Sequence, residues 1–241
     1  WYEDCKIKKE MYLLTFADDS KKICFSPSFS VEKLPSKWEE WFKVNLNKFP
    51  RLSVREDTGA KIIENLTGRK AEVLIDPTLM LSKEEWKKLS ADNKITEKDY
   101  ILTYFLGGRD EKTDEDLKKY SKELDTKVYN LLDYSQPDIY TSDPCEFVNL
   151  IDNAKLVVTD SFHACVFSFI FKKPFLLYNR IGKSDMMSRM DTFLKKFKLE
   201  RKYIFSKEKN ELLECEYEQG YEILKQEQKK VYKFLEDCVK N

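Results

Sequence analysis

Apolar and polar positions along the chain alternate between a period of two and a period near 3.6, and the switches mark out its elements. Met11–Phe16 and Lys22–Ser26 read as short strands around the turn Asp18-Asp19-Ser20. Ser36 is placed to cap a helix running to Lys48, with Glu39 completing a capping box. Leu52–Val54 reads as a strand, followed by a helix carrying Ile62, Ile63 and Leu66 on one face and stopping at Gly68. Ala71–Ile75 is a further strand, closed by the turn "DPTLM".

The polar stretch 82–99 lacks a strand pattern and reads as a linker between two lobes. Beyond it the alternation resumes, with strand Tyr100–Leu106 ending in Gly107-Gly108, helix Asp114–Leu124 and strand Lys127–Leu132. Asp143 and Pro144 have the order of an N-cap and first helical residue, ahead of Phe147, Leu150, Ile151 and Ala154 on one face. Strand Leu156–Thr159, helix His163–Phe171 and strand Phe175–Tyr178 follow, and 206–239 has the charged amphipathic pattern of one or two helices. Strands interleaved with helices predict an α/β fold of Rossmann-like, doubly wound, mainly parallel sheets. The expected division is an N-terminal lobe remainder with linker over 1–95, a second Rossmann-like lobe over 96–205 and a helical tail over 206–241.

Composition narrows the function classes. Lys plus Arg and Asp plus Glu each total 43, so the 241-residue chain has no net charge and lacks the basic excess expected of a nucleic-acid binder. Hydrophobic residues at 41% and aromatics at 14% support a folded core. The longest apolar run, Ala164–Phe171, breaks at Lys172-Lys173, well short of the roughly 20 residues that cross a bilayer. Six scattered cysteines without a CxxC, together with a single histidine, make a poor metal-ligand set, and no metal is expected. These features suit a cytoplasmic protein.

That single histidine, His163, stands in "LVVTDSFHACVFSFIFKKPFLLYN", between a strand and an apolar helix. In doubly wound sheets ligands lie beyond the carboxyl ends of strands, against helix N-termini whose free N–H groups favour anions. His163 is then either a catalytic acid/base beside an anion or a histidine that tolerates burial next to an Asp160 or Ser161 cap. "SVREDTG" repeats the arrangement, with Arg55 at a strand end as an anion clamp or as a surface arginine paired with Glu56 or Asp57. Asp76 in "DPTLM" caps a turn or touches ligand. Gly107 opens a turn too short for a dinucleotide fingerprint, and neither GxGxxG nor GxxxxGK occurs, which disfavours nicotinamide cofactors and P-loop chemistry.

Taken in order, "SVREDTGAKIIENLTGR", "VLIDPTLML" and "VVTDSFHACVFSFIFKKPF" resemble the polysaccharide pyruvyl transferase family, over roughly Phe25 to Phe193. The resemblance implies transfer of a pyruvyl group from phosphoenolpyruvate to a sugar hydroxyl pair, with release of phosphate and formation of a cyclic ketal. It also implies a GT-B-like fold with the active site between Rossmann-like halves. Arg55 takes the place of the family's functional arginine and His163 that of its histidine. Lys183, nine residues after Pro174, takes the place of a lysine, with Arg180 and Arg189 near enough to substitute. Members often carry Arg-Leu before the histidine, where this chain has Ser161-Phe162.

The resemblance assigns His163 and Asp160 to proton transfer, and Arg55, Ser161, Phe162, Lys183 and Arg180 to the donor. No cofactor is implied beyond phosphoenolpyruvate as co-substrate. The implied partner is a saccharide acceptor, lipid-linked or polymer-bound, at the inner membrane face, and no oligomeric state is implied. Relatives begin with an "NYG" loop and a "GSDQVW" strand, and neither is present here, so part of an N-terminal lobe is expected to be missing. Two other functions fit the same elements: a GT-B glycosyltransferase using a nucleotide sugar, and a non-catalytic scaffold in polysaccharide assembly.

Overall fold

The computed structural model describes residues 9–90, 97–181, 187–200 and 209–240. They form two compact units. Unit 1 is drawn from Trp1–Pro77, Lys183–Lys196 and Glu222–Asn241, and unit 2 from Thr78–Gly182 and Phe197–Tyr221. The sequence borders at 95/96 and 205/206 do not coincide with these, because each unit also takes in C-terminal segments.

Helices α1 (Lys9–Tyr12), α2 (Ser36–Leu46) and α3 (Asp57–Thr67) belong to unit 1, with strands β1 (Ser53–Val54) and β2 (Glu72–Val73). The two strands are parallel, Ser53 opposite Glu72 and Val54 opposite Val73. Phe29, Phe42, Leu46, Phe49, Val54 and Ile63 are buried together as the core. Ser36 does not cap α2. It is the first helical residue, preceded by Pro35, and no side chain caps the helix start. At its other end α2 stops short of Lys48, where Arg69 donates to the carbonyls of Leu46, Phe49 and Pro50 at 3.3, 2.9 and 2.9 Å, satisfying groups that the helix leaves open. Gly68 ends α3 with φ +70°, a left-handed conformation that glycine adopts without strain.

The expected strands Met11–Phe16 and Lys22–Ser26 are not formed. The first region is α1 followed by turns, with Leu14 at φ 49°. The second lies beside β1, but the Ser53 side chain takes its backbone groups: Ser53 Oγ donates to the Cys24 carbonyl and accepts from the Ser26 N–H at 2.8 Å. With a hydroxyl in place of backbone partners, and Ser26 at φ 50°, no ladder develops.

Unit 2 holds α4 (Lys83–Leu89), β3 (Tyr100–Tyr104), α5 (Glu111–Leu124), β4 (Val128–Asn130), α6 (Pro137–Tyr140), α7 (Pro144–Asn153), β5 (Ala154–Thr159), α8 (Phe162–Ile170) and β6 (Phe175–Leu177). Beyond these come α9 (Ser188–Phe197), α10 (Lys209–Leu212) and α11 (Glu218–Val239). The four strands form one parallel sheet in the order β4-β3-β5-β6. Alternation along β3 sets its two faces: Ile101 and Phe105 pack with Leu117, Tyr120 and Leu124 of α5. On the other face Tyr104 meets Phe147 of α7, and the Tyr100 hydroxyl donates to the Leu150 carbonyl at 2.8 Å. This is the mixed α/β, Rossmann-like architecture of the GT-B-like class.

The stretch read as a linker contains α4, which has a full capping box between Ser82 and Glu85. Its Trp86 donates to the Thr78 carbonyl at 3.0 Å and stands edge-on to Phe167 at 4.9 Å. Asp143 and Pro144 cap α7 as expected. Helix α5 begins at Glu111 instead of Asp114, because the Asp110 carboxylate accepts the Thr113 N–H at 2.8 Å.

Candidate functional site

Strand β3 is followed by α5 and β4 on one side, after which the chain crosses back and lays β5 on the other side of β3. The loops leaving β3 and β5 therefore diverge, and the crevice at their carboxyl ends is where doubly wound sheets bind ligands. Thr159 closes β5 by donating to the Tyr104 carbonyl and accepting the Ser161 N–H at 2.9 Å. Asp160, 1% exposed, accepts the N–H groups of Leu106 at 2.7 Å and Gly107 at 2.8 Å. Arg180 donates through Nε to the Asp160 carboxylate at 3.3 Å and through Nη2 to the Asp160 carbonyl at 3.1 Å. A Cβ on Gly107 would lie 2.5 Å from both Arg180 Cγ and the Ile181 carbonyl oxygen, so only glycine lets these segments close.

Helix α8 starts from this frame. Ser161 caps it by accepting the Ala164 N–H at 3.5 Å. Every α8 residue is buried except His163, which is exposed in the first turn. Burial alone therefore does not explain the imidazole. Phe162 and Ser161 are each 3% exposed; the ring turns into the core and the hydroxyl is spent on the cap. Burial, and then the Asp160 charge, push the Cys165 thiol up, so this neighbour stays protonated and is no nucleophile. The same two causes raise the Tyr104 phenol, while Arg180 pulls it down.

At the other end of α8, carbonyls that the ending helix leaves open are satisfied by later residues. Tyr221 donates to Phe169 at 2.8 Å and Ile170 at 2.7 Å, and Tyr217 donates to Lys173 at 2.7 Å. An apolar helix is thereby fixed at both ends, and its first turn is a rigid support for His163.

Unit 1 has its own strand-end cluster. Arg55 follows β1, and its Nη1 lies 2.6 Å from Asp76 Oδ2, beyond the end of the paired strand β2. Its Nε donates to the Ser26 carbonyl at 3.0 Å. Asp76 is 2% exposed, so the partner of Arg55 is this buried acid and not Glu56 or Asp57. Glu56, missed by sequence reasoning, is fully buried, and its Oε1 accepts the N–H groups of Phe29 at 2.7 Å and Ser30 at 3.0 Å. Its partners lie 27 and 26 residues earlier in the chain, so no local signal in the sequence marked it.

Asp160, Ser161, Phe162, His163, Arg180 and Gly107 are thus brought together in unit 2, and Arg55 with Asp76 in unit 1. Lys183 lies outside the described residues. Among the described residues no three His, Cys, Asp or Glu side chains assemble as a metal site.

Residues 4–180 match the family model described as polysaccharide pyruvyl transferase. The chain belongs to this family. The match spans both strand-end clusters and ends at Arg180, whereas α9, α10 and α11 follow it. No curated protein matches the sequence. As a polysaccharide pyruvyl transferase family member it is a transferase of polysaccharide biosynthesis, acting on a saccharide acceptor. No helix among its described residues is long and apolar enough to cross a membrane.

Proposed function

We propose that this polysaccharide pyruvyl transferase takes its pyruvyl group from phosphoenolpyruvate and sets it on two hydroxyls of one sugar as a cyclic ketal. The observation that carries the reading is His163: the single imidazole of the chain is the one exposed side chain of α8, in the first turn, at the positive end of the helix dipole that favours an anion. In this reading the donor phosphate lies against that helix start. His163 as imidazolium protonates the enol methylene carbon, and the first sugar hydroxyl adds to the adjacent carbon, returning its proton to the imidazole. The second hydroxyl then closes the ring as phosphate leaves with the remaining proton, and the net products are the ketal and inorganic phosphate.

Asp160 acts by position in this scheme. Both of its carboxylate oxygens are occupied by the Leu106 and Gly107 amides and by Arg180, so it fixes the turn that presents His163. Arg55 is proposed as a donor-binding cation, a role supported by the way Asp76 and Ser26 fix its guanidinium at the end of β1. Lys183 is proposed as a further donor cation on the family resemblance alone. The acceptor is proposed to be lipid-linked or polymer-bound, met by peripheral contact at the inner face of the membrane.

The test is to incubate the protein with phosphoenolpyruvate and candidate glycans and to follow phosphate release and ketal formation. Wild type is expected to produce both, and His163→Ala neither, with an unchanged melting temperature. Ketal formation at the wild-type rate in His163→Ala would remove the acid role. Turnover of a nucleotide sugar with release of nucleoside diphosphate would replace the reading with glycosyl transfer.

A further inference from the structure

The segment after β4, a turn and helix α6 at the same carboxyl edge of the unit 2 sheet, carries a pair of tyrosines that the transfer chemistry does not use. Tyr134 is 79% exposed and Tyr140 37%, with ring centroids 4.3 Å apart and an interplanar angle of 37°. Single exposed aromatics are common on protein surfaces and carry no message. These two lie against each other as a tilted pair, and their support is built. The Asp133 carboxylate accepts from the Ser135 N–H at 2.9 Å, the Ser135 hydroxyl at 2.7 Å and the Gln136 amide at 3.3 Å. Gln136 in turn accepts the Asn130 N–H at 3.1 Å, tying the loop to the end of β4, and Ile139 is buried.

The position is equally specific. β4 pairs with β3 and β3 with β5, so the β4 end lies two strand spacings, roughly 10 Å, from the β5 end that leads to His163. The intervening β3 loop connects to both sides. Leu106 and Gly107 hold Asp160, while the positive charge of Arg109 helps keep the Asp133 carboxyl low, after the larger effect of its Ser135 hydrogen bonds. A rigid, open aromatic face flanked by carboxylate, amide and hydroxyl groups does not suit a small anion, which needs enclosure and cations. It suits a pyranose ring, whose C–H face packs on an aromatic ring while its hydroxyls reach polar neighbours.

We propose that Tyr134 and Tyr140 form a stacking platform for a sugar ring of the saccharide acceptor. The proposal rests on the pyruvyl-transfer reading for the identity of that saccharide, and the contact between the two rings before binding spares part of the cost of ordering them. The test is saturation-transfer NMR on the full chain with cellobiose, lactose and diacetylchitobiose as probes, alongside calorimetric titration of phosphoenolpyruvate. Wild type is expected to transfer saturation from its aromatic protons to the C–H protons of at least one sugar. That signal should fall about fivefold in Tyr134→Ala and persist in Tyr134→Trp, with all three proteins melting together. Absence of transfer in wild type, or full transfer in Tyr134→Ala, overturns the platform. A wild type that gives the sugar signal yet binds no phosphoenolpyruvate supports the platform and overturns the donor assignment.

Discussion

Arg180 grips Asp160 twice, through Nε to the carboxylate at 3.3 Å and through Nη2 to the main-chain carbonyl at 3.1 Å. The same carboxylate holds two amides of the β3 loop, so one buried side chain ties together three segments that meet at the switch in strand order. Replacing it with asparagine keeps the size but removes the charge, and turns the amide NH2 against one of the two N–H donors. Asp160→Asn is expected to destabilise the fold by about 3 kcal/mol, the scale for breaking a buried ion pair, measured by chemical denaturation. It is also expected to lower turnover. A variant as stable as wild type would show that the pair and the loop amides are independent of the fold.

Gly107 makes that arrangement possible by its lack of a side chain. Its φ is not positive, so the demand is one of space alone: an alanine methyl there would meet Arg180 Cγ and the Ile181 carbonyl oxygen at 2.5 Å. Gly107→Ala is expected to cost about 1–3 kcal/mol through forced displacement of this backbone. Lost turnover at a temperature where the variant is still folded would place the effect in the site. Unchanged melting and activity together would refute the close approach.

Arg55 is held by geometry that lysine cannot copy. Its guanidinium reaches Asp76 at 2.6 Å and the Ser26 carbonyl at 3.0 Å at once, from different nitrogens. Arg55→Lys keeps the charge, loses the fork, and is expected to cost about 1 kcal/mol of stability. If Arg55 binds the donor, the KM for phosphoenolpyruvate rises while that for the sugar stays near the wild-type value. Equal changes in both constants would count against donor binding.

How far the fold was legible depended on whether the backbone or a side chain decided the local structure. β5 and α8 were readable because burial on all sides leaves a continuous apolar run, and α7 because Asp143-Pro144 is a start signal that depends on nothing distant. The segment 22–26 was not, because its fate is set by the Ser53 hydroxyl from a distant part of the chain. Helix α9 is absent from the expectation although Met190, Phe193, Leu194 and Phe197, all buried, make an i, i+3, i+4, i+7 stripe. Its neighbourhood is rich in cations that draw a functional reading instead. In the site, the placement of His163 in the first turn of an apolar helix was legible, but its exposure was not, because flanking apolar residues fit a buried imidazole equally well. The engagement of Asp160 by a loop more than fifty residues earlier left no local trace in sequence.

Acid stability offers a separate test, in unit 1. Glu227 of α11 is 5% exposed and accepts from Lys196 at 2.7 Å, with Lys230 as a second donor. Burial alone would push its carboxyl up, but the two lysine hydrogen bonds outweigh that and leave it below the usual range. A carboxyl with a lowered folded value stabilises fully above its unfolded value of about 4.3, and that contribution is lost as pH falls through the folded value. Melting temperature is therefore expected to decline on acidification from about pH 5 downward. In Glu227→Gln the melting temperature at neutral pH should be lower and the acid decline shallower, since no proton is taken up at that position. Parallel pH profiles for the two proteins would mean that the lysine pairs do not stabilise the charged form, and the acid sensitivity would have to come from other carboxylates.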